Sequence, residues 1–137
     1  MFATLRLQDA LGNDRVPILL VADDDEDVLM LVQLRLSRSG YEVVVARDGE
    51  EALRLAREKQ PDLAVLDWMM PKASGLEVLR ALRADEETSS IPVLMLTARA
   101  SASDIEQGLA AGADDYIAKP FSPQELASRV QSILSGS

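Results

Sequence analysis

The chain has 137 residues, 47% of them apolar and 27% charged, the balance of one soluble globular domain. A net charge of −9 argues against holding nucleic acid unaided, no apolar run is long enough to cross a membrane, and no signal-peptide pattern opens the chain. Cysteine and histidine are both absent, which excludes disulfides, thiolate metal sites and imidazole chemistry and fits a cytoplasmic protein. Any chemistry must use carboxylates, lysine, hydroxyls and backbone, and the natural metal for such donors is a hard, oxygen-binding ion such as Mg²⁺.

Residues 1–16 contain Leu5, Leu7 and Leu11 without a sustained period and are read as an N-terminal extension with no assigned role. From Pro17 the pattern is regular. Ile18-Leu19-Leu20-Val21-Ala22 is a strand buried on both faces, followed by the acidic run Asp23-Asp24-Asp25-Glu26-Asp27 and a helix that ends near Gly40. Val43-Val44-Val45 is the second strand, and Asp48-Gly49 turns into a helix stopped by Pro61. The third strand, Leu63-Ala64-Val65-Leu66, ends at Asp67, and Pro71 blocks its continuation. A third helix follows Ser74-Gly75, and Val93-Leu94-Met95-Leu96 is a fourth strand ending at Thr97. The fourth helix spans roughly Ser103 to Ala111, and Tyr116-Ile117-Ala118 is a short fifth strand before Lys119-Pro120. Ser122-Pro123 with Glu125 caps the last helix, and residues 135–137 form a tail. Five strands alternating with five helices imply an α/β fold, a doubly wound five-stranded parallel sheet in three layers, occupying residues 17–134.

Chemistry in such a sheet sits beyond the carboxyl ends of the strands. Acids follow the first strand, Asp67 ends the third, Thr97 the fourth and Lys119 the fifth, so all four fall on one edge. Singly, each has an ordinary reading: a helix-dipole partner, a turn residue, a cap, a solvated loop charge. Together they describe a Mg²⁺-assisted phosphoryl acceptor with Asp67 as the carboxylate nucleophile, Lys119 as counter-charge and Thr97 as hydroxyl donor.

The order and spacing of Asp23-Asp24, Asp67-Trp68-Met69-Met70-Pro71, Ser74-Gly75, Thr97-Ala98, Gly112-Ala113-Asp114-Asp115-Tyr116 and Lys119-Pro120-Phe121 resemble the receiver domain of two-component response regulators, with its flavodoxin-like architecture. The resemblance implies that Asp67 accepts phosphate from a histidine kinase or phosphotransfer protein. It also implies that Asp23, Asp24, Asp67 and the Met69 carbonyl hold Mg²⁺. Lys119, Thr97 and the backbone of Met69 and Ala98 would meet the phosphoryl group, and Thr97 and Tyr116 would form the switch. The domain would act on itself rather than as an enzyme on external substrates, and would signal to a downstream protein. Trp68, Met69 and Arg99 flank the site. A bulky Met and a long Arg would shield it from water, so fast self-hydrolysis is not expected. Ala73 stands where the family often has a larger apolar residue.

Asp114, Asp115, Glu125 and Arg129 resemble charges that join receivers of winged-helix regulators into homodimers through the fourth helix, fifth strand and fifth helix. Ile105 stands where the basic partner on the fourth helix is expected. Two other readings are open to a fold of this kind. A haloacid-dehalogenase-type phosphatase would use Asp23 and Asp25, but no cap domain is evident and Trp68 to Pro71 would have no role. Flavin binding would need a Ser/Thr-rich loop after the first strand, which is missing.

Overall fold

Strand runs such as Leu19-Leu20-Val21-Ala22 point alternate side chains to opposite faces, and in the computed structural model both faces are covered. The structure describes residues 15–98 and 101–136; the expectations placed on Arg99, residues 1–14 and Ser137 lie outside them. The elements follow as β1 (Ile18–Ala22), α1 (Glu26–Arg38), β2 (Glu42–Ala46), α2 (Gly49–Lys59), β3 (Leu63–Asp67), α3 (Gly75–Ala84), β4 (Val93–Thr97), α4 (Ala102–Ala110), β5 (Asp115–Ala118) and α5 (Pro123–Leu134). The five strands form one parallel sheet in the order β2-β1-β3-β4-β5. This is the expected three-layer, doubly wound fold, and among the described residues no helix is long and apolar enough to cross a membrane.

Each strand serves two cores. Leu20, Ala22, Ala64, Leu66, Val93 and Met95 pack with α2 and α3. Leu19, Val21, Leu63, Val65, Leu94 and Leu96 pack with α1 and α5 on the other side. That double burial is why the strands read as unbroken apolar runs rather than alternations. The order reverses between β1 and β3, so the crevice outside the carboxyl ends of those two strands is where a ligand site belongs.

The helices start on side-chain caps. Asp25 accepts from the amides of Asp27 and Val28, Asp48 from Glu51, and Ser122 from Glu125. Ser74 and Glu77 cap α3 reciprocally, a Ser-x-x-Glu pattern legible in the sequence. At the opposite, lower edge of the sheet, Arg15 donates to both oxygens of Asp62 (2.6 and 3.1 Å), and Asp62 also accepts the Ile18 amide at 2.8 Å. The start of β1 is thereby tied to the start of β3.

Gly75 fits α3 tightly against the end of β3. Its amide donates to the Trp68 carbonyl at 2.8 Å, and a Cβ at this position would lie 2.2 Å from the Asp67 carbonyl oxygen. Backbone meets backbone there, so no rotamer change relieves the contact. Gly75→Ala is expected to lower unfolding free energy by about 1–3 kcal/mol, read from the denaturant midpoint.

Candidate functional site

The crevice is lined by the last residues of neighbouring strands. Asp23 follows β1 immediately, and its amide is held by the Ala46 carbonyl of β2 at 3.1 Å. Its carboxylate is fully buried. One oxygen accepts the Asp25 amide at 2.9 Å and the other accepts the Lys119 ammonium at 2.9 Å. Asp67 closes β3 and is 5% exposed. Lys119 Nζ lies 3.2 Å from its Oδ1, so one cation spans both acids. Asp24 is exposed, and its carboxylate with those of Asp23 and Asp67 offers three oxygens all within 4.8 Å of one another. An all-carboxylate set of that span fits a hard divalent cation.

Backbone register brings Lys119 there. Its amide donates to the Thr97 carbonyl at 2.8 Å, which continues the β4–β5 pairing one step past Ala118 and places Lys119 beside Thr97. The Lys119-Pro120 peptide is cis. Thr97 is buried at the end of β4.

Burial pushes the Asp67 carboxyl up to about 6, and the Asp23 charge adds to the shift while Lys119 opposes it. Burial alone would lower Lys119, but the hydrogen bond to Asp23 and the charges of Asp67 and Asp23 outweigh it and hold the ammonium above its ordinary value. The site therefore contains a permanent cation and a carboxylate that is ionised at neutral pH yet more basic than a free one. That combination suits nucleophilic attack on an electrophile carrying negative oxygens.

The flanking residues divide. Met69 is 60% exposed beside the mouth, whereas Trp68 is buried. Trp68 lines a small apolar cavity with Met95, Thr97, Ile105, Gly108 and Tyr116, beneath α4. Tyr116, half-buried, thus shares that cavity with Thr97. Ala98 is exposed and lines an apolar groove with Val28, Leu31, Lys119, Pro120 and Phe121, between α1 and the segment after β5.

The charges expected at an interface are partly used inside the chain. Asp114 accepts the Val93 amide at 2.8 Å and pairs with Arg83 at 3.2 Å, at the lower edge. Arg129 donates to Asp115 and to the Tyr116 carbonyl, both at 3.0 Å, and lies 3.8 Å from Glu125. Sequence reasoning missed the roles of Asp25, Gly75 and Arg83. The capping pattern signals the first; the other two act through contacts distant in sequence that leave no local signature.

The family model of the response regulator receiver domain matches residues 19–131. The chain is 51% identical over 116 residues to the alkaline phosphatase synthesis transcriptional regulatory protein PhoP of Bacillus subtilis, covering 85% of this chain and 48% of that protein. It is 42% identical over 116 residues to the phosphate regulon transcriptional regulatory protein PhoB of Pseudomonas aeruginosa, covering 85% and 51%. The chain thus spans about half the length of the curated relatives it matches. Among solved structures, the receiver domain of the Francisella response regulator 1452 superposes with a TM-score of 0.82 at 38% identity, covering 88% of this chain and 98% of that one. Chemotaxis response regulator CheY4 of Vibrio cholerae gives a TM-score of 0.83 at 34% identity, covering 87% and 99%.

A carboxyl whose folded pKa is raised destabilises the fold where it is charged. Between pH about 4 and 6 the folded state binds the Asp67 proton and the unfolded state releases it, so stability falls as pH rises through that window. Asp67→Asn is therefore expected to stabilise the metal-free protein by about 1–3 kcal/mol at pH 7, with the gain shrinking below pH 6 and gone below about pH 4. Thermal unfolding across that range checks it.

Proposed function

The chain belongs to the response regulator receiver domain family of two-component signalling, and from that membership we propose that it is a switch driven by phosphorylation of Asp67. The observation that carries the reading is the bridge of Lys119 to Asp23 and Asp67 over a three-carboxylate cluster. The phosphodonor is a phosphohistidine of a kinase or phosphotransfer protein. An Asp67 carboxylate oxygen bonds to phosphorus as the P–N bond breaks, and the leaving imidazole keeps the electron pair and takes a proton. Asp23, Asp24, Asp67 and the Met69 carbonyl would hold Mg²⁺, which when bound supplies positive charge against the phosphoryl oxygens. Lys119 pairs with the same oxygens from the other side, and the Thr97 hydroxyl and the backbone of Met69 and Ala98 donate or position around them.

Once Asp67 carries the phosphoryl group, the pull on Thr97 opens room in the cavity it shares with Tyr116, and the two side chains move together. The change is read on the side of the molecule formed by α4, β5 and α5, where Asp114, Asp115, Glu125 and Arg129 offer contacts to a downstream protein or a second copy of the chain. The apolar groove beside Lys119, continued by exposed Leu31 on α1, offers the phosphodonor protein a route to Asp67. Residues 17–134 carry this switch. The domain acts only on itself, in the cytoplasm, and its net charge of −9 argues against its holding nucleic acid unaided.

Incubation with acetyl phosphate and Mg²⁺ is expected to add one phosphoryl mass, stable in acid and labile in base, and Asp67→Asn to abolish it. Turnover of an external phosphoester without an adduct would instead favour a phosphatase. Met69 stands exposed at the mouth, and we expect Met69→Ala combined with Arg99→Ala to hydrolyse the adduct about threefold to tenfold faster, for a loss of about 1 kcal/mol of barrier. Unchanged decay of the adduct mass would remove the shielding role.

A further inference from the structure

α4 is held by its foot. Of its residues only Gly108 is buried, whereas α3 buries Gly75, Leu76, Val78, Leu79 and Leu82. Its body lies over the small cavity that Trp68, Thr97 and Tyr116 line, so apolar packing does little to fix it. The carboxyl end is different. Gly112, just past the helix, has φ +110°, and a Cβ there would stand 2.8 Å from Arg83 Nε.

Arg83, near the end of α3, makes five hydrogen bonds, one for each of its N–H groups. Nε and Nη2 donate to the Gly112 carbonyl at 3.2 and 2.8 Å. Nη1 donates to the carbonyls of Ile91 at 2.7 Å and Ser89 at 3.2 Å. Nη2 also donates to Asp114 Oδ2 at 3.2 Å, and that carboxylate in turn accepts the first amide of β4, Val93, at 2.8 Å. A single half-buried guanidinium thus ties the end of α3, the entry to β4, the end of α4 and the entry to β5. Only a planar fork with five donors can satisfy this set; an ammonium has three donors and no fork.

We propose that Arg83 is a positioning residue for the switch. It pins the carboxyl end of α4 at Gly112, so that α4 turns about that point and its displacement is confined to the amino-terminal end beside Thr97. The consequence is directional: the face near Ala102 to Ile105 changes between states, and the lower edge from Gly108 to Asp114 does not. The pivot rests on the switch reading for its trigger, but the pinned foot is a property of the unmodified chain.

Hydrogen–deuterium exchange of the full chain, with and without acetyl phosphate and Mg²⁺, tests it, with intact mass reporting the adduct. In the wild type, phosphorylation is expected to alter exchange over residues 101–107 and leave 108–114 unchanged. Arg83→Lys keeps the charge and loses the fork. It is expected to speed exchange over 108–114 by about tenfold before phosphorylation, and to let the phosphorylation-induced change spread into that segment. Adduct formation should stay within about twofold of wild type, because Arg83 lies at the far edge from Asp67. A wild-type response as large over 108–114 as over 101–107 overturns the proposal, as does an Arg83→Lys protein with the wild-type pattern. If no adduct forms, the acceptor reading fails separately. The pivot is then judged on the unmodified proteins, where acceleration over 108–114 that spares 101–107 supports it and uniform or absent acceleration overturns it. If Arg83→Lys does not fold, the wild-type comparison decides alone.

Discussion

One ammonium group between two buried carboxylates sets the terms for the upper edge of this molecule. Asp23 is fully enclosed and Asp67 nearly so, and two such charges side by side repel each other in a medium that screens poorly. Lys119 reaches both, and without it the pair would be left as uncompensated buried charge. The Lys119 amide bond to the Thr97 carbonyl puts the cation there by backbone pairing rather than by a flexible loop. The Asp25 amide fixes the other Asp23 oxygen. The result is a preorganised cluster in which Asp23, Asp24 and Asp67 bring three carboxylate oxygens within 4.8 Å of one another.

The cluster is balanced but not relaxed. The Asp67 carboxyl stays well above its ordinary range even with Lys119 in contact, so negative charge at this point is carried at the expense of stability. The strands behind it absorb that strain, because they are buried on both faces by two separate apolar layers. Gly75 adds a hard stop: α3 is packed against the Asp67 backbone as closely as a residue without a Cβ allows. The proposed acceptor therefore sits on a rigid base, and any response to charge placed on it has to be taken up elsewhere.

The helices divide that labour. α3 is capped reciprocally and buries five residues, while α4 buries one and lies over a cavity. Loose packing beside Thr97 and a dense hydrogen-bond knot at Gly112 give α4 two unlike ends. The groove between α1 and Phe121 lies on the opposite side of the mouth. On the proposed reading, a phosphodonor and a target would meet separate surfaces.

The amino-acid sequence by itself determined the layer architecture and the edge on which the polar residues gather. Both follow from local rules: apolar runs of strand length, caps such as Ser122 with Glu125, and strand ends marked by Asp67, Thr97 and Lys119. It also carried the motif order from Asp23 to Phe121 by which the family was legible. Tertiary structure alone decided which acid of the Asp23-Asp24 pair is buried, that one Lys119 serves both Asp23 and Asp67, and that Asp114, though exposed, braces β4 and Arg83. It alone exposed the contact of Gly75 with Asp67 and the five bonds of Arg83. The reason is distance along the chain. Periodicity and caps report neighbours within a few residues, whereas burial, shared counter-charges and backbone contacts between separate turns exist only once the sheet has brought their ends together.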